Sequence, residues 1–439
     1  MMKKIMLGGC LWILMTGVAL ASGFGVFVQG ASGLGQANAV VAHSTGPSSV
    51  YFNPALLNDV PGRQLEVGTT LIYSDREIDL DSGGQEDGKS EVNYPSTAYY
   101  TQEINDRITA GFGVFFPFGL SNEWDNDYEG RYIGTSGKVT TVNLNPVVSF
   151  KVNDRLSLAA GLDVLYFNAT LKSKVNQTAA YLIVQNQGAP LPPLAGALPD
   201  IDQKFEGHDW GFGYNLGALF KATDRVSIGA TYRSHIDVDP GHVNGSVSFA
   251  NVTPYLASVF PNGGGEADTI RLPAQATAGI AVQIMEPLIV EVGMRWEDWD
   301  SYDQLTIKFD NPVLGQTSNT FARDWSATWS YNIGGQYQLN DTMAINAGYL
   351  YGENAVPSST FEPIIPDSDA HLFTVGTDLK FGAWTVSGAF GYEHHEDRDK
   401  NNTVGDPLGS LVVDQPVDTA NGEYKTDIYL LALSVGYKF

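Results

Sequence analysis

The chain has 439 residues, 25 of them basic and 49 acidic, and a formal net charge of −24 at pH 7. This acidic balance argues against nucleic-acid binding, which needs a basic surface. The single cysteine, Cys10, excludes a disulfide framework and a cysteine metal centre.

Residues 1–21 have the features of a secretory signal peptide. Lys3 and Lys4 form a short charged region, an apolar run follows, and Ala19-Leu20-Ala21 is a small-x-small cleavage sequence. We therefore expect export and a mature chain that starts at Ser22. An uncleaved membrane anchor is the alternative.

Residues 22–61 show no strand-like alternation and are rich in Gly, Ala and Ser, which makes them unsuitable for a lipid-facing strand. Because they precede the first strand, they could fold back into a barrel lumen as a hatch, or plug. A disordered periplasmic tail is the alternative. The apolar stretches 25–28 and 49–55 favour the hatch.

From residue 62 onward, apolar residues alternate with small or polar ones, which predicts β-strands. One example runs from Leu156 to Tyr166, and another from Leu288 to Trp296. In a third, Val226 to Tyr232 are expected to share an outward face with Ile236 and Val238. Charged residues on the second face are costly in lipid, so the apolar face must point outward and the polar face into a wet lumen.

Short turns and long loops separate these strands alternately. Asn and Asp in the short turns suit tight hairpins. Six short turns occupy 105–107, 153–155, 223–225, 285–287, 340–342 and 381–383. Seven long connections occupy 76–93, 120–137, 176–206, 250–270, 311–320, 353–369 and 396–423. This arrangement predicts an all-β, fourteen-stranded antiparallel transmembrane barrel, spanning residues 62–439.

The last strand, 427–439, alternates apolar and small residues and ends on Phe439. An apolar terminal strand would be an aggregation hazard at an open sheet edge, but barrel closure pairs it with the first strand. The pattern resembles the C-terminal signature of outer-membrane proteins. That resemblance implies that Phe439 is read by the barrel-assembly machinery.

Short sequences along the whole mature chain resemble the FadL family of outer-membrane transporters for long-chain fatty acids and related hydrophobic compounds. They are Ser32-Gly33-Leu34-Gly35-Gln36-Ala37, Asn53-Pro54-Ala55, Pro117-Phe118-Gly119-Leu120, Gly130-Arg131-Tyr132, Asn143-Leu144-Asn145-Pro146, Leu272-Pro273, Asp324-Trp325 and Pro366-Asp367. Each is weak alone, and their order makes the resemblance specific. It departs at residues 43–47, where family members carry acidic residues.

The resemblance implies passive transport without a cofactor by a monomer in the outer membrane, in contact with lipopolysaccharide. Its hatch would include Phe24, Asn53, Pro54 and Ala55. Hydrophobic ligand would be captured by outer loops and released sideways at a kink in the third strand, at Pro117, Phe118 and Gly119. A basic residue, for which Arg233 and Arg295 are candidates, would meet a fatty-acid carboxylate.

Apolar clusters in two outer loops support capture, since exposed loops are normally polar. The capture candidates are Tyr181, Leu182, Ile183, Val184, Leu191, Leu194, Tyr255, Leu256, Val259 and Phe260. The alternative is that they pack on one another or cap the barrel mouth.

Other chemical signals are weak. The stretch 83–90 has P-loop spacing but lacks the required strand and helix. His394 and His395 are adjacent and should point apart on a strand, which argues against a metal site. No nucleophile motif marks an enzyme. We therefore expect a transporter, with aromatic hydrocarbons as an alternative ligand and a structural or adhesive barrel as an alternative function.

Overall fold

The computed structural model describes residues 23–439, except for the side chains of residues 240–242. The predicted signal peptide, residues 1–21, lies outside the described residues. Within residues 23–439, no helix is both long enough and apolar enough to cross a membrane.

Fourteen antiparallel strands form a closed barrel, as predicted. The last strand pairs with the first from Lys438 opposite Gln64 to Gly422 opposite Leu80, so the sheet has no free edge there. The strands are β1 Arg63–Leu80, β2 Ser96–Asn105, β3 Ile108–Phe115 with Gly119–Glu123, β4 Ser136–Lys151, β5 Leu156–Val175, β6 Ile201–Lys221, β7 Val226–Arg233 with Ile236–Ala250, β8 Gly263–Leu272 with Gln275–Met285, β9 Leu288–Glu297 with Gln304–Val313, β10 Gln316–Ala322 with Thr328–Asn340, β11 Met343–Gly352, β12 Ala370–Phe381, β13 Trp384–His395 and β14 Gly422–Lys438.

The remaining elements are short. Three small strands, Gln85–Asp87, Val92–Asn93 and Arg398–Lys400, extend the outer loops. The α-helices are α1 Ala31–Leu34, α2 Ser49–Phe52, α3 Gln177–Asn186 and α4 Pro407–Val413. The 3₁₀ helices are Pro54–Asp59, Glu129–Tyr132 and Trp299–Ser301.

The barrel wall carries apolar side chains outside and polar side chains inside. On β14, Leu431 and Leu433 are 56% and 52% exposed, whereas Ser434 is buried. On β5, Leu162 is exposed and its neighbour Asp163 is fully buried. This is the reverse of a soluble sheet and matches a wall in contact with lipid around a polar interior, as the alternation predicted.

Four neighbouring strands, β7 to β10, are interrupted at the same level. Arg233, Gln275, Glu297 and Thr328 lie opposite one another in register, and each is the last or first residue at an interruption. Beyond it, the two faces exchange roles. The apolar residues now point inward, and an exposed pair, Arg271 with Asp237 at 2.6 Å, lies outside.

The expected outward position of Ile236 and Val238 is therefore wrong, because both are buried on the inner face at 2% and 0% exposure. The two residues Ser234 and His235 break the strand and shift its alternation by one face. As a result, the upper halves of β7 to β10 line an apolar interior.

The six short turns occur where predicted, but the long connection expected at 311–320 does not exist. Val313 pairs directly with Gln316, and the turn residues Leu314 and Gly315 have φ of 48° and 80°. Positive φ at both positions is the type I′ geometry, which suits a two-residue hairpin. Other long connections are shorter than predicted because strands such as β1 continue above the barrel.

The N-terminal segment, residues 23–61, lies against the inner face of the wall. Its backbone accepts hydrogen bonds from Thr374 of β12, Asn332 of β10, Ser227 of β7 and Asn53, whose Nδ2 also reaches β6. Wall glycines allow this close approach. A Cβ on Gly229 would lie 2.0 Å from the Val41 carbonyl oxygen.

Candidate functional site: an outer cavity and a break in the barrel wall

An apolar cavity of about 400 Å³ lies between the upper strands and the outer loops. Its size and apolar walls are those of a site for a hydrophobic small molecule. Apolar lining comes from Leu120, Val139, Phe167, Ala169, Leu171, Ile183, Phe205, Phe249, Phe260, Ile270, Leu305, Ile307, Phe309, Ile364 and Leu408. The inverted upper halves of β7 to β9 supply five of these residues, so the strand interruptions contribute to the cavity wall.

An aromatic cluster closes the inner end of this cavity. Phe24 of the N-terminal segment packs edge-on against Trp299 at 4.7 Å, and its ring also contacts Phe118, Tyr302 and Trp325 at 5.8 to 6.1 Å between centroids. Phe24 and Tyr302 face the cavity directly. Phe24 of the N-terminal segment is therefore part of the site.

One buried ion pair borders the cavity. The Arg323 guanidinium lies 2.6 Å from the Glu362 carboxylate, and the residues are 6% and 8% exposed. The Arg323 Nε has no hydrogen-bond partner among the described residues. Sequence reasoning missed both residues, because they lie at a strand interruption and in a loop, where no alternation marks a facing direction.

The two predicted carboxylate-binding candidates lie elsewhere. Arg233 forms an ion pair with the fully buried Asp163, and Arg295 is 3.0 Å from Glu297. Both line a second, smaller cavity of about 60 Å³, deeper in the lumen. The structure therefore does not place them at the outer cavity.

The structure gathers most of the capture candidates into one apolar cluster at the outer end. Ile183 and Phe260 line the cavity, and Tyr255 is the exception, at 59% exposure. Tyr181, Leu256 and Phe260 are buried in the cluster, and Val184, Leu191, Leu194 and Val259 pack against it. Leu182 is half-buried. Some of the capture candidates therefore pack on one another, which was the alternative to ligand capture.

Helices α3 and α4 are joined at their N-terminal ends over the cavity. Asn176 caps α3 by accepting from the Ala179 amide at 3.0 Å, and Asp406 caps α4 by accepting from the Leu408 amide at 3.0 Å. The Asn176 side chain also donates to Asp406 at 2.7 Å. One hydrogen bond thus links two outer loops that are 230 residues apart in sequence.

The third strand is broken at residues 116–118, where the kink was predicted. On the β4 side, three residues stand opposite two, because Phe115 pairs with Asn143 and Gly119 with Thr140. Pro117 has no amide to donate, which favours such a break. On the β2 side, the ladder ends at Ala98 opposite Val114.

The N-terminal segment supplies the hydrogen bonds that the broken strand lacks. Val26 donates to the Pro117 carbonyl at 2.9 Å, and Gly119 donates to the Phe24 carbonyl at 2.8 Å. The Gln29 side chain both accepts from the Phe116 amide at 3.2 Å and donates to its carbonyl at 2.6 Å. On the neighbouring strand β4, the Thr141 hydroxyl accepts from the Phe118 amide at 3.1 Å and donates to its carbonyl at 2.6 Å. The N-terminal segment and the Thr141 side chain therefore satisfy the backbone at the break.

Further contacts fix the rest of this segment. The fully buried Glu291 carboxylate accepts from the Val41 and Ala42 amides at 2.6 and 2.9 Å and lies 2.7 Å from His43 Nδ1. Asn53 caps the helix Pro54–Asp59 by accepting from Ala55, and it donates to the carbonyl oxygen of Val41. The predicted hatch residues are thus buried and anchored to the wall.

An outer-loop carboxylate, that of Asp367, binds the backbone of Gly23. Asp367 Oδ2 accepts from the Gly23 and Ala355 amides, each at 2.9 Å. Burial raises the pKa of Asp367 to about 6, although these two hydrogen bonds act in the opposite direction. When folding raises the pKa of a carboxyl group, its contribution to stability is fully present below the unfolded pKa, which is about 3.9 for aspartate. That contribution is lost as pH rises through the folded pKa of about 6.

We expect the Asp367→Asn variant to lose that pH dependence. In the unmodified protein, Asp367 should add stability, by at most about 3 kcal/mol, as pH falls from 7 to 4, because the folded state takes up a proton first. The measurement is the urea midpoint of refolded protein in detergent at pH 4, 5, 6 and 7. Parallel pH profiles of the two proteins would contradict the assignment.

Among residues 23–439, no three His, Cys, Asp or Glu side chains are grouped to hold a metal ion. The two adjacent histidines point apart, as expected. His394 is exposed and contacts Asp427 at 2.9 Å, whereas His395 is buried and contacts Glu393 at 3.0 Å.

Comparison with known proteins agrees with this architecture. Residues 12–439 match the family model described as outer membrane protein transport protein (OMPP1/FadL/TodX). Outer membrane protein P1 of Haemophilus influenzae is 25% identical over 464 residues, covering 97% of both chains. A long-chain fatty acid transport protein of Salmonella typhi is 23% identical over 377 residues, covering 83% of this chain and 85% of that protein.

A solved structure shares the fold. The crystal structure of a Pseudomonas aeruginosa FadL homologue superposes with a TM-score of 0.83 at 20% identity, covering 95% of this chain and all of the other. Members of the matched family are passive transporters and not enzymes. The chain therefore belongs to the OMPP1/FadL/TodX family and is an outer-membrane β-barrel that transports hydrophobic compounds.

Proposed function

We propose that this chain transports long-chain fatty acids, which bind in the outer cavity and leave sideways through the wall at residues 116–118. The observation that carries the proposal is the cavity itself. Its volume of about 400 Å³ and its apolar walls suit a long alkyl chain. Relatives of 23 to 25% identity are named long-chain fatty acid transport proteins, which supports the same ligand class.

Arg323 offers the fatty acid a polar contact. Its Nε lacks a partner among the described residues and it borders the cavity, so it can donate to a carboxylate oxygen. Lys172 and Lys174 are further basic residues in the cavity lining. Glu362 neutralises the same guanidinium, however, which also suits an uncharged ligand. Aromatic hydrocarbons are therefore the second candidate.

Release would begin at the aromatic cluster. Phe24 separates the cavity from the broken stretch of β3, and the same few residues of the N-terminal segment hydrogen-bond to that stretch. Movement of residues 24–29 would connect the cavity with the wall. Residues 22–61 would then act as a plug within the barrel domain, 62–439, and Pro117, Phe118 and Gly119 as the lateral gate.

In this proposal, Phe439 at the end of β14 is the signal for barrel assembly. Phe439 is 65% exposed, follows β14 and donates its amide to the Arg63 carbonyl at 2.9 Å. Its position outside the lumen supports a role in recognition by the barrel-assembly machinery and none in ligand binding. The barrel would function as a monomer among lipid and lipopolysaccharide.

Uptake measurements test the ligand class. A strain without its own fatty-acid transporter is supplied with this chain and given labelled oleate or toluene. We expect oleate uptake to rise and Ala169→Trp, which fills the cavity, to lower it by about fivefold or more, since overpacking costs about 1–3 kcal/mol. Ala160→Trp on the lipid face of the same strand is the control. Uptake of toluene alone would favour the second candidate, and uptake of neither would refute both.

A further inference from the structure

The last outer loop, residues 401–421, lies over the outer cavity. Its helix α4 contributes Leu408 and Leu411 to the cavity lining. Little of this helix is buried, because Leu411, Val412 and Val413 are 73%, 40% and 50% exposed. A segment that buries little apolar surface opens at a low cost in free energy. The outer cavity therefore has one wall that is suited to move.

One buried ammonium group joins the two ends of this loop. Lys400 is 1% exposed, and its Nζ lies within hydrogen-bonding distance of four oxygens. Near the start of the loop, these are the Asn402 side chain at 2.7 Å and the Val404 carbonyl at 3.0 Å. Near its end, they are the Thr419 carbonyl at 2.6 Å and the Asn421 side chain at 3.1 Å. Since hydrogen bonds from a charged donor are stronger than neutral ones, Lys400 fixes the neck of the loop.

The backbone inside the loop is strained. Asp414, Asp418 and Ala420 have φ of 57°, 48° and 49°, in the left-handed region that residues other than glycine seldom adopt. Ala420 is held there from two sides, because its amide donates to Glu129 at 3.1 Å and its carbonyl accepts from Tyr424 at 2.8 Å. Such conformations persist only while surrounding contacts impose them, and they concentrate in segments that switch. Loosening the neck should therefore favour a different loop conformation.

We propose that residues 401–421 form a lid that opens to admit ligand to the outer cavity, and that Lys400 is the positioning residue that holds this lid closed. The lid rests on the proposed function only through the outer cavity as the ligand site, so it serves a fatty acid and an aromatic hydrocarbon alike. In the closed lid, the hydrogen bond from Asn176 to Asp406 keeps α4 against α3. Opening separates these two helices.

A reversible crosslink tests the lid. The natural cysteine, Cys10, lies in the predicted signal peptide, so Asn176→Cys with Asp406→Cys supplies the two thiols of the exported chain. A short, reducible bis-methanethiosulfonate reagent joins α3 to α4 in intact cells, and uptake of labelled oleate and toluene is measured before and after reduction. We expect the crosslink to lower uptake of the transported ligand by about tenfold or more, because it removes the open population, and reduction to restore it. The two single-cysteine variants, treated in the same way, are the matched controls.

Lys400→Met tests the positioning residue. The readout is the rate at which purified barrel binds and releases parinaric acid, a fluorescent fatty acid, in stopped-flow measurements. Loss of the charged donor should raise both rates by about tenfold and change Kd by less than about threefold, because a lid controls access and leaves the cavity intact. Crosslinking α3 to α4 in the same variant should slow both rates again. Lys308→Met, at an exposed lysine outside β9, is the matched control.

The two experiments separate the lid from the proposed function. Unchanged uptake in crosslinked cells would place ligand entry elsewhere and overturn the lid. Weaker binding without faster association in Lys400→Met would show a purely structural role for Lys400. If cells with the unmodified protein take up neither oleate nor toluene, the proposed function fails, whereas the binding rates of the purified barrel still decide whether the lid controls access.

Discussion

Deletion of Pro117 is expected to abolish most oleate uptake while leaving oleate binding intact. After the deletion, the break has the same number of residues on both strands, because two residues of β3 stand opposite Thr141 and Val142 of β4. A continuous ladder should then form. About two added hydrogen bonds of about 1 kcal/mol each would lower the open population, and with it uptake, by about tenfold or more.

Binding and uptake must be measured separately to test this. Binding of labelled oleate to purified barrel reports the outer cavity, and uptake by cells reports release. Deletion of Asp341 in the exposed β10–β11 turn provides a control for shortening the chain. Normal uptake after Pro117 deletion would place the exit elsewhere, and loss of both binding and uptake would indicate misfolding.

Replacing Glu291 by alanine should release the N-terminal segment from the wall. This carboxylate is fully buried and contacts two backbone amides and His43. Its loss removes a hydrogen-bond partner from three polar groups. Breaking a buried pair in this way typically costs about 3–5 kcal/mol. We expect faster amide exchange in residues 36–50 and a larger ion conductance of the barrel in planar bilayers.

A steric variant tests the same anchor independently. In Gly229→Val, the new Cβ would lie only 2.0 Å from the Val41 carbonyl oxygen, so the segment should be displaced without any change in charge. For Glu291→Ala, the matched control is Glu286→Ala, which removes a carboxylate from the exposed turn before β9. Unchanged exchange and conductance in both variants would show that residues 41–43 do not hold the segment in place.

The inner and outer faces of the strands illustrate how far local pattern can be trusted. Below the interruptions, alternation correctly predicted exposed Leu162 and buried Asp163. Above them it failed for Ile236 and Val238, since two irregular residues change the facing direction of everything that follows. The prediction of a long connection at 311–320 was also wrong, because Leu314 and Gly315 alone make the turn.

The sequence by itself determined that this protein is a closed fourteen-stranded barrel in an outer membrane. Period-two alternation, short and long connections and an apolar last strand are local signals, and a bilayer accepts only a closed sheet. The order of the family-like sequences likewise indicated a transporter of hydrophobic compounds.

Only the tertiary structure decided which groups meet inside. Glu291 and His43 are 248 residues apart, and Arg323 meets Glu362 across an outer loop, so no spacing could have paired them. The same holds for the apolar cavity, whose wall includes strands that are interrupted at one level and turn their apolar faces inward. Such contacts depend on strand register and loop path around the whole barrel, which local alternation does not specify.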